Sequence, residues 1–136
     1  MYSYLLDRTA RRVKQYAQQC FNTENFDVTV DQWLVLKSLH TNNDLNQSEL
    51  AELTGKDHPT LTRIIDLLCK KGLTERRIHP KDRRCFTIHL TSAGEKAVSE
   101  LSPKVADIRM KAWENLSEDD YENLKRILNT IYNNLN

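Results

Sequence analysis

The chain has 136 residues, of which 39% are hydrophobic and 29% charged, and its formal net charge is +1. This length suits one compact domain with additional helices, and the low number of turn formers, three glycines and three prolines, favours a mainly helical fold. The sequence contains no apolar run long enough for a membrane span and no signal peptide, so we expect a cytoplasmic protein with no membrane partner.

The first predicted helix covers residues 4 to about 21. Its apolar residues recur at three- and four-residue spacing, at Leu6, Ala10, Val13, Ala17 and Cys20 or Phe21. A second helix is expected after Thr29, which as N-cap forms a capping box with Gln32. It ends before "HTNND".

A short helix and a longer helix follow, separated by a tight turn. In "LNQSELAELTG" Asn46 and Glu49 form a second capping box, and Gly55 ends the helix. In "HPTLTRIIDLLCKKG" Pro59 fits the first helical turn and Gly72 ends the helix. A short helix, a brief turn and a second helix are the parts of a helix-turn-helix, whose second helix enters the major groove of DNA.

The second helix of this pair has two distinct faces. The apolar face consists of Leu61, Ile64, Ile65 and Leu68. On the polar side Arg63 can donate two hydrogen bonds to a guanine edge, and Thr60 and Thr62 can bond phosphate or base. The first turn of the helix also offers free N–H groups to a phosphate. Such a face alone also fits an ordinary solvated surface, so both interpretations remain open at this point.

Two strands, "LTERRI" and "CFTIHL", are predicted next, joined by the loop "HPKDRR". Phe86, Ile88 and Leu90 alternate with Thr87 and His89, which predicts one buried and one open face. A β-hairpin beside a recognition helix can reach the adjacent minor groove, whose negative potential attracts arginine.

The hairpin tip carries two arginines and one carboxylate. Arg83 and Arg84 can extend into a groove, whereas Asp82 is expected to pair with one of them and fix the loop. Arg83 is the preferred inserted residue, with Arg84 held by Asp82, although the sequence permits the reverse. A basic hairpin tip by itself is also compatible with an ordinary solvent-exposed turn. Residues 56–84 together carry nine Lys and Arg against four Asp and Glu, a net charge of +5, which favours a polyanion-binding segment.

A long helix is expected to begin at Thr91 or Ser92, with Ser92 and Glu95 as a capping box. Because Pro103 lies inside the run, we expect a kink or break near Ser102.

Ser117 is the expected N-cap of a last helix. Apolar residues repeat along this helix with coiled-coil spacing, at Tyr121, Leu124, Leu128, Ile131 and Leu135. The two terminal arms carry more apolar side chains than a small winged helix can cover, which predicts a homodimer. The candidate dimerisation residues are Leu6, Val13, Leu124, Leu128, Ile131 and Leu135. Packing of the arms on each other within one chain is the alternative.

The stretch "LAELTGKDHPTLTRIIDLLCKKGLTER", the wing motif "DRR" and the segment "LTSAGEK" resemble the winged-helix core of the MarR family, the multiple-antibiotic-resistance-type transcriptional regulators. The resemblance spans residues 30 to 100, and the flanking helices fit the family's long terminal arms, although Pro103 departs from the pattern. It implies a mainly α fold with a winged helix-turn-helix core at 29–92, an N-terminal dimerisation helix at 1–28 and C-terminal dimerisation helices at 93–136. It also implies an obligate homodimer on a pseudo-palindromic operator in double-stranded DNA.

The resemblance assigns roles to individual residues. Asp82–Arg84 align with the wing motif whose arginine enters the minor groove, and Thr60, Thr62 and Arg63 align with positions that face the major groove. The remaining candidate DNA contacts are Lys56, His58, Pro59, Lys70, Arg76 and Lys81.

Regulators that resemble this chain are released from DNA by phenolic or other aromatic ligands, or by cysteine oxidation. A ligand cleft is expected where the arms meet the DNA-binding lobe, and its candidate residues are Tyr16, Cys20, Phe26, Trp33 and Leu36. The aromatic residues also fit a plain core. Cys20 is a peroxide-sensor candidate if its thiolate is stabilised, although it also fits an inert buried thiol. Cys69 and Cys85 are expected to be packing residues.

The sequence lacks the motifs of several other functional classes. The four histidines show no metal-ligand spacing, and there is no CxxC pair, glycine-rich phosphate loop, nucleophile elbow or HExxH, so we expect no metal, no cofactor and no enzymatic activity. The predicted function is a sequence-specific DNA-binding transcriptional regulator, a repressor released by a small molecule or by oxidation, in the cytoplasm of a prokaryote and at its nucleoid when bound. The alternatives are a winged-helix protein-interaction module and an activator without a small-molecule effector.

Overall fold

The computed structural model describes residues 2–42 and 44–136. Within these residues the chain forms six helices and three short strands. In chain order they are α1 (Ser3–Thr23), α2 (Val30–Thr41), β1 (Leu45–Asn46), α3 (Gln47–Thr54), α4 (His58–Lys70), β2 (Thr74–Ile78), β3 (Phe86–Leu90), α5 (Ser92–Ala112) and α6 (Glu118–Asn134). The predicted fold class, a mainly helical winged helix-turn-helix with N- and C-terminal helices, is confirmed.

Local capping determines where five of the helices start, α2 to α6. Thr29 Oγ1 accepts from the N–H of Gln32, and the Gln32 side chain accepts from the N–H of Thr29, both at 3.1 Å. Asn46 and Glu49 form the same reciprocal pair ahead of α3, and a third capping box begins at Ser117 ahead of α6. Asp57 caps α4. Each cap satisfies N–H groups that have no partner in the first helical turn, so these starts are fixed by residues three apart in the sequence.

The core lies between α2, α3, α4, the sheet and the first half of α5. The predicted apolar face of α4 is confirmed, because all four of its residues are buried. The side chains that are almost completely buried are Phe21, Val35, Leu36, Leu50, Leu61, Ile65, Leu68, Ile88 and Val98. Burying such side chains stabilises a fold by about 1.5–3 kcal/mol each. This packing holds the outer side of α4 in a fixed orientation.

The sheet has the order β1-β3-β2 and is antiparallel. The two-residue strand β1 was not predicted. It pairs with the centre of β3, with Leu45 opposite Ile88 and Asn46 opposite Thr87. The expected alternation along β3 is therefore wrong at two positions: Thr87 is 3% exposed, whereas Phe86 is 50% exposed. Thr87 is flanked by strands on both sides, and Phe86 lies at the outer end of the hairpin.

The start of α5 at Ser92 agrees with the prediction, but its N-cap differs from the expected one. Thr91, not Ser92, is the N-cap, and its hydroxyl oxygen accepts from the N–H of Gly94 at 3.1 Å. The expected Ser92–Glu95 capping box is therefore wrong, because Ser92 is already the first helical residue. The Thr91 hydroxyl also donates to the carbonyl of Gly72 at 2.6 Å. A Cβ on Gly94 would lie 2.1 Å from the Leu73 carbonyl oxygen, so only glycine permits this close approach of α5 to the hairpin.

Of the kink or break predicted near Ser102, the break is wrong, because α5 is continuous through Pro103. The helix continues from Ser92 to Ala112. Proline removes the N–H that would bond to the carbonyl of Ser99, but both Pro103 and Ser99 are exposed, so water can satisfy that carbonyl. Ser102 donates its hydroxyl to the carbonyl of Val98 at 2.7 Å.

The terminal helices leave most of their apolar side chains exposed. Helix α1 packs against α2 and α5 and buries only Phe21, and α6 buries none of its residues. The ring of Trp113 contacts that of Tyr121 at 5.3 Å, and the Tyr132 hydroxyl donates to the carboxylate of Glu52 on α3. Among the described residues no helix is long and apolar enough to cross a membrane.

Candidate nucleic-acid interface

Helix α4 presents its polar side to solvent. Arg63 and Lys70 are exposed, and Thr60 is half-buried. Asp57 accepts a hydrogen bond from the N–H of Thr60 at 2.8 Å, and this bond lowers the pKa of the Asp57 carboxyl. A carboxylate therefore already occupies one of the N–H groups that were expected to receive a phosphate. The exposed guanidinium of Arg63 remains the main cation of this face.

Thr62 lies at the edge of this face and contacts α3. Its hydroxyl oxygen accepts from the side-chain amide of Gln47 at 2.6 Å, and the same amide lies 3.5 Å from the carbonyl oxygen of His58. His58 and Pro59, at the start of α4, are exposed. The first residue of α3 is thus bound directly to the recognition helix.

Lys56, a candidate DNA contact, binds a carboxylate within the protein. Its ammonium group donates to Asp31 at 2.7 Å, and Lys14 of α1 donates to the same carboxylate at 2.9 Å. Burial favours the protonated form of Asp31, but the hydrogen bonds from Lys56 and Lys14 outweigh it and lower the pKa of this carboxyl. The Lys56 side chain is only 20% exposed, and through Asp31 the two lysines link the turn before α4 and helix α1 to α2.

Arg76 also binds a residue of the protein. Its guanidinium lies 2.6 Å from a carboxylate oxygen of Asp66 on α4 and 3.9 Å from the sulfur of Cys69. Cys69 is packed against the core, as predicted. The pair formed by Arg76 and Asp66 connects the first strand of the hairpin to the recognition helix.

The hairpin tip contains the predicted contact between Asp82 and an arginine. Asp82 Oδ1 accepts from the backbone N–H of Arg84 at 3.0 Å and from Arg84 Nε at 3.4 Å. These bonds lower the pKa of the Asp82 carboxyl, the backbone bond more than the side-chain bond. The Cys85 thiol donates to Asp82 Oδ2 at 3.6 Å and is exposed, so the prediction that Cys85 is a packing residue is wrong.

The two arginines of the tip differ. The Arg84 side chain is 92% exposed but is oriented by Asp82. Arg83 is also exposed, and it forms no hydrogen bond or ion pair with any residue in 2–42 or 44–136. Lys81 is exposed beside them. The tip therefore offers one unattached guanidinium and one that is held in place.

The five candidate effector residues do not line a common cavity of a single chain. Trp33 and Leu36 belong to the core, and the half-buried ring of Phe26 lies 4.9 Å from that of Phe21. Tyr16 is exposed on α1, where the neighbouring Cys20 raises the pKa of the tyrosine hydroxyl. Cys20 is half-buried, so it is not the fully buried thiol of the inert interpretation.

Among the described residues, cavities lie at other places. One of about 400 Å³ lies at the α5–α6 corner and is lined by Arg109, Met110, Trp113 and Tyr121 among others. Another of about 420 Å³ lies under the hairpin loop beside Asp44 and His79. No cluster of three or more potential metal ligands occurs within the portion of the chain that the structure describes.

A short helix, a turn and a recognition helix with an outward-facing arginine, followed by a β-hairpin with a basic tip, define a winged helix-turn-helix DNA-binding protein. The model of the MarR family matches residues 28–86. The fold and this match over residues 28–86 make the chain a DNA-binding transcription regulator with a MarR-like winged-helix core.

Solved structures agree along almost the whole chain. The Staphylococcus aureus MepR–DNA complex is 28% identical, covers 98% of this chain and 98% of its own, and has a TM-score of 0.81. The transcriptional repressor CouR, bound to a 23-mer DNA duplex, is 29% identical, with coverage of 97% and 92% and a TM-score of 0.82. Bordetella bronchiseptica BpsR, whose DNA binding is regulated by 6-hydroxynicotinic acid, is 23% identical and shares the fold, with coverage of 97% and 93% and a TM-score of 0.84.

Proposed function

We propose that the protein is a homodimeric repressor that binds a pseudo-palindromic operator. In this proposal residues 29–92 read the DNA, and residues 1–28 and 93–136 form the dimer. Each α4 enters a major groove, and each hairpin inserts Arg83 into the adjacent minor groove. The observation that carries the proposal is the hairpin tip, where Arg83 is unattached while Asp82 orients Arg84. An unattached cation at the tip of a projecting hairpin is what a narrow, electronegative groove attracts.

The dimer is supported by the unpaired apolar side chains of the arms. Leu6 and Val13 of α1 are exposed, and so are Leu124, Leu128 and Leu135 of α6. Ile131 is half-buried. Exposed apolar side chains that repeat along a helix mark an association site, and a closed two-fold dimer buries the same surface on both chains. Two recognition helices related by such an axis contact half-sites about 34 Å apart, one turn of DNA.

We also propose how the protein acts on transcription and how it is released from DNA. CouR is a transcriptional repressor and was solved on DNA, and MepR was also solved on DNA. We extend repression to this chain, acting at the nucleoid in a prokaryotic cytoplasm. For release we propose an aromatic acid of the kind that regulates BpsR, bound where the arms meet the DNA-binding lobe near Tyr16, Phe26 and Trp33. Oxidation of Cys20 is the alternative route of release.

The salt dependence of DNA binding tests the proposal against a winged helix that binds only proteins. Lys70, Lys81, Arg63 and the tip arginines are available to neutralise phosphates, and each neutralised phosphate releases a counterion. Affinity for a selected genomic fragment is expected to fall about 10³-fold or more between about 50 and 200 mM salt, if a dimer neutralises six phosphates. Fluorescence anisotropy titrations measure this slope. A protein that retains no genomic fragment at low salt would contradict the proposal.

Arg63 and Lys70 are expected to contribute in different ways. Arg63→Ala removes a base-reading guanidinium, so it is expected to cost about 1–3 kcal/mol on the operator and to relax sequence preference. Lys70→Ala removes a phosphate contact, so it should weaken binding to all sequences alike and reduce the salt slope by about 1 per monomer. Titrations with operator and random DNA separate the two effects. An equal loss on both DNAs for Arg63→Ala would disprove its base-reading role.

A further inference from the structure

The amide of Gln47 bridges two groups of the recognition helix. Its nitrogen lies 2.6 Å from Thr62 Oγ1 and 3.5 Å from the carbonyl oxygen of His58. Because a carbonyl oxygen can only accept a hydrogen bond, the NH₂ end of the amide and not its oxygen must face α4. The hydroxyl oxygen of Thr62 is therefore the acceptor in its bond with Gln47.

Thr62 differs in this respect from other helical threonines of the chain. Three of them donate the hydroxyl proton to the carbonyl four residues earlier: Thr41, Thr54 and Thr130, at 3.0, 2.7 and 2.8 Å. For Thr62 the corresponding carbonyl is that of His58, which the Gln47 amide approaches instead. Within residues 2–42 and 44–136 the Thr62 hydroxyl donates to no group. Its proton is available to an outside partner.

We propose that Gln47 is a positioning residue that makes Thr62 a specificity-determining hydrogen-bond donor. This inference rests on the proposed function, in which α4 lies in the major groove. With one lone pair occupied by the Gln47 amide, the hydroxyl presents its proton at the edge of the DNA-facing side. The Thr62 hydroxyl selects a hydrogen-bond acceptor on a base edge, which is the N7 of a purine, the O6 of guanine or the O4 of thymine.

The same arrangement disfavours the amino groups of adenine and cytosine. A free threonine hydroxyl rotates and serves as donor or acceptor, so it discriminates poorly between base edges. Once the Gln47 amide occupies one of its two lone pairs, the hydroxyl keeps its proton and a single acceptor position, so the balance shifts towards donation and an amino group opposite it is disfavoured. The bond from the amide also polarises the hydroxyl and strengthens its donation. Gln47 would therefore affect sequence preference without touching a base.

Affinities of all single-base variants of the selected operator test this inference. Thr62→Val, Gln47→Ala and their double variant are expected to reduce the preference at one and the same base pair by about three- to tenfold per half-site, the effect of one neutral hydrogen bond. The double variant should lose no more than Thr62→Val alone. Gln47→Glu offers only acceptors, so it takes up the Thr62 proton and should abolish the same preference.

Matched variants distinguish this role from a purely structural one. Thr62→Ser keeps the hydroxyl and should keep the preference, and Arg63→Ala should affect a different base pair. The inference is overturned if Gln47→Ala weakens all operator variants equally, or if its effect adds to that of Thr62→Val. Wild-type protein without any sequence preference would instead refute the proposed function itself. Melting temperatures recorded in parallel identify a variant that has lost its fold, and Thr62→Ser and Gln47→Glu then decide the question.

Discussion

Replacing Arg83 and Arg84 together by alanine is expected to reduce operator affinity by at least about a hundredfold. A charge-assisted hydrogen bond contributes about 1.5–3 kcal/mol, and the proposed dimer inserts one Arg83 from each of its two hairpins, which gives about 3–6 kcal/mol. Anisotropy titrations at fixed salt measure the loss. The reduction should appear on the operator and on random DNA, because the negative potential of the minor groove is present in both.

The single variants test the difference between the two arginines. Arg83→Ala should account for most of the loss, whereas Arg84→Ala should cost less, since Asp82 already holds that side chain in the free protein. Lys125→Ala, which removes an exposed cation of α6, is the matched control and should bind normally. Unchanged affinity of the double variant would contradict a DNA-binding role of the hairpin.

Replacing Leu124 and Leu128 together by aspartate is expected to convert the dimer into monomers. Both side chains are exposed on α6, and placing carboxylates in an apolar interface leaves buried charges without partners. Operator affinity should then fall by about 10²–10⁴-fold, because a monomer loses the effective concentration that the second recognition helix provides. Sedimentation at micromolar concentration and titration of the operator measure the two effects.

Asn129→Asp is the control for this change, because it adds a carboxylate at another exposed position of α6 outside the predicted apolar repeat. It should sediment as the wild type does. A wild-type protein that is monomeric at micromolar concentration would rule out the two-fold arrangement, and with it the expected spacing of half-sites.

Features that depend on residues close in the sequence were predictable. The capping boxes at Thr29 and Asn46 and the N-cap at Ser117 involve residues no more than three apart, so each can be recognised without the tertiary structure. The apolar face of α4 follows from helical periodicity in the same way. The contact of Asp82 with Arg84 is also local, since it spans two residues.

Features that depend on distant segments were not predictable. Lys56 and Arg76 are candidate DNA contacts, and the sequence does not show that each also forms an ion pair within the chain. Their partners Asp31 and Asp66 are brought close only by tertiary packing. The strand β1 has two residues and no period of its own, and its pairing with β3 buries Thr87. One feature of the sequence does point to the Asp66 ion pair. Asp66 lies on the outer side of α4, where an acidic residue is poorly suited to face DNA.

The effector site could not be predicted from the sequence either. Tyr16 lies exposed on α1 while Trp33 and Leu36 are in the core, so the candidate cleft is not formed by one chain. A site between the arms and the DNA-binding lobe depends on how two chains pack, and periodicity within one chain does not determine that geometry. Ligand release therefore remains a prediction.

Footprinting of the protein on a genomically selected operator tests the central claim most directly. The claim predicts two protected major-groove segments about one helical turn apart, each flanked by minor-groove protection that disappears in Arg83→Ala. Protection of a single continuous segment without two-fold symmetry, or minor-groove protection that persists in Arg83→Ala, would contradict it.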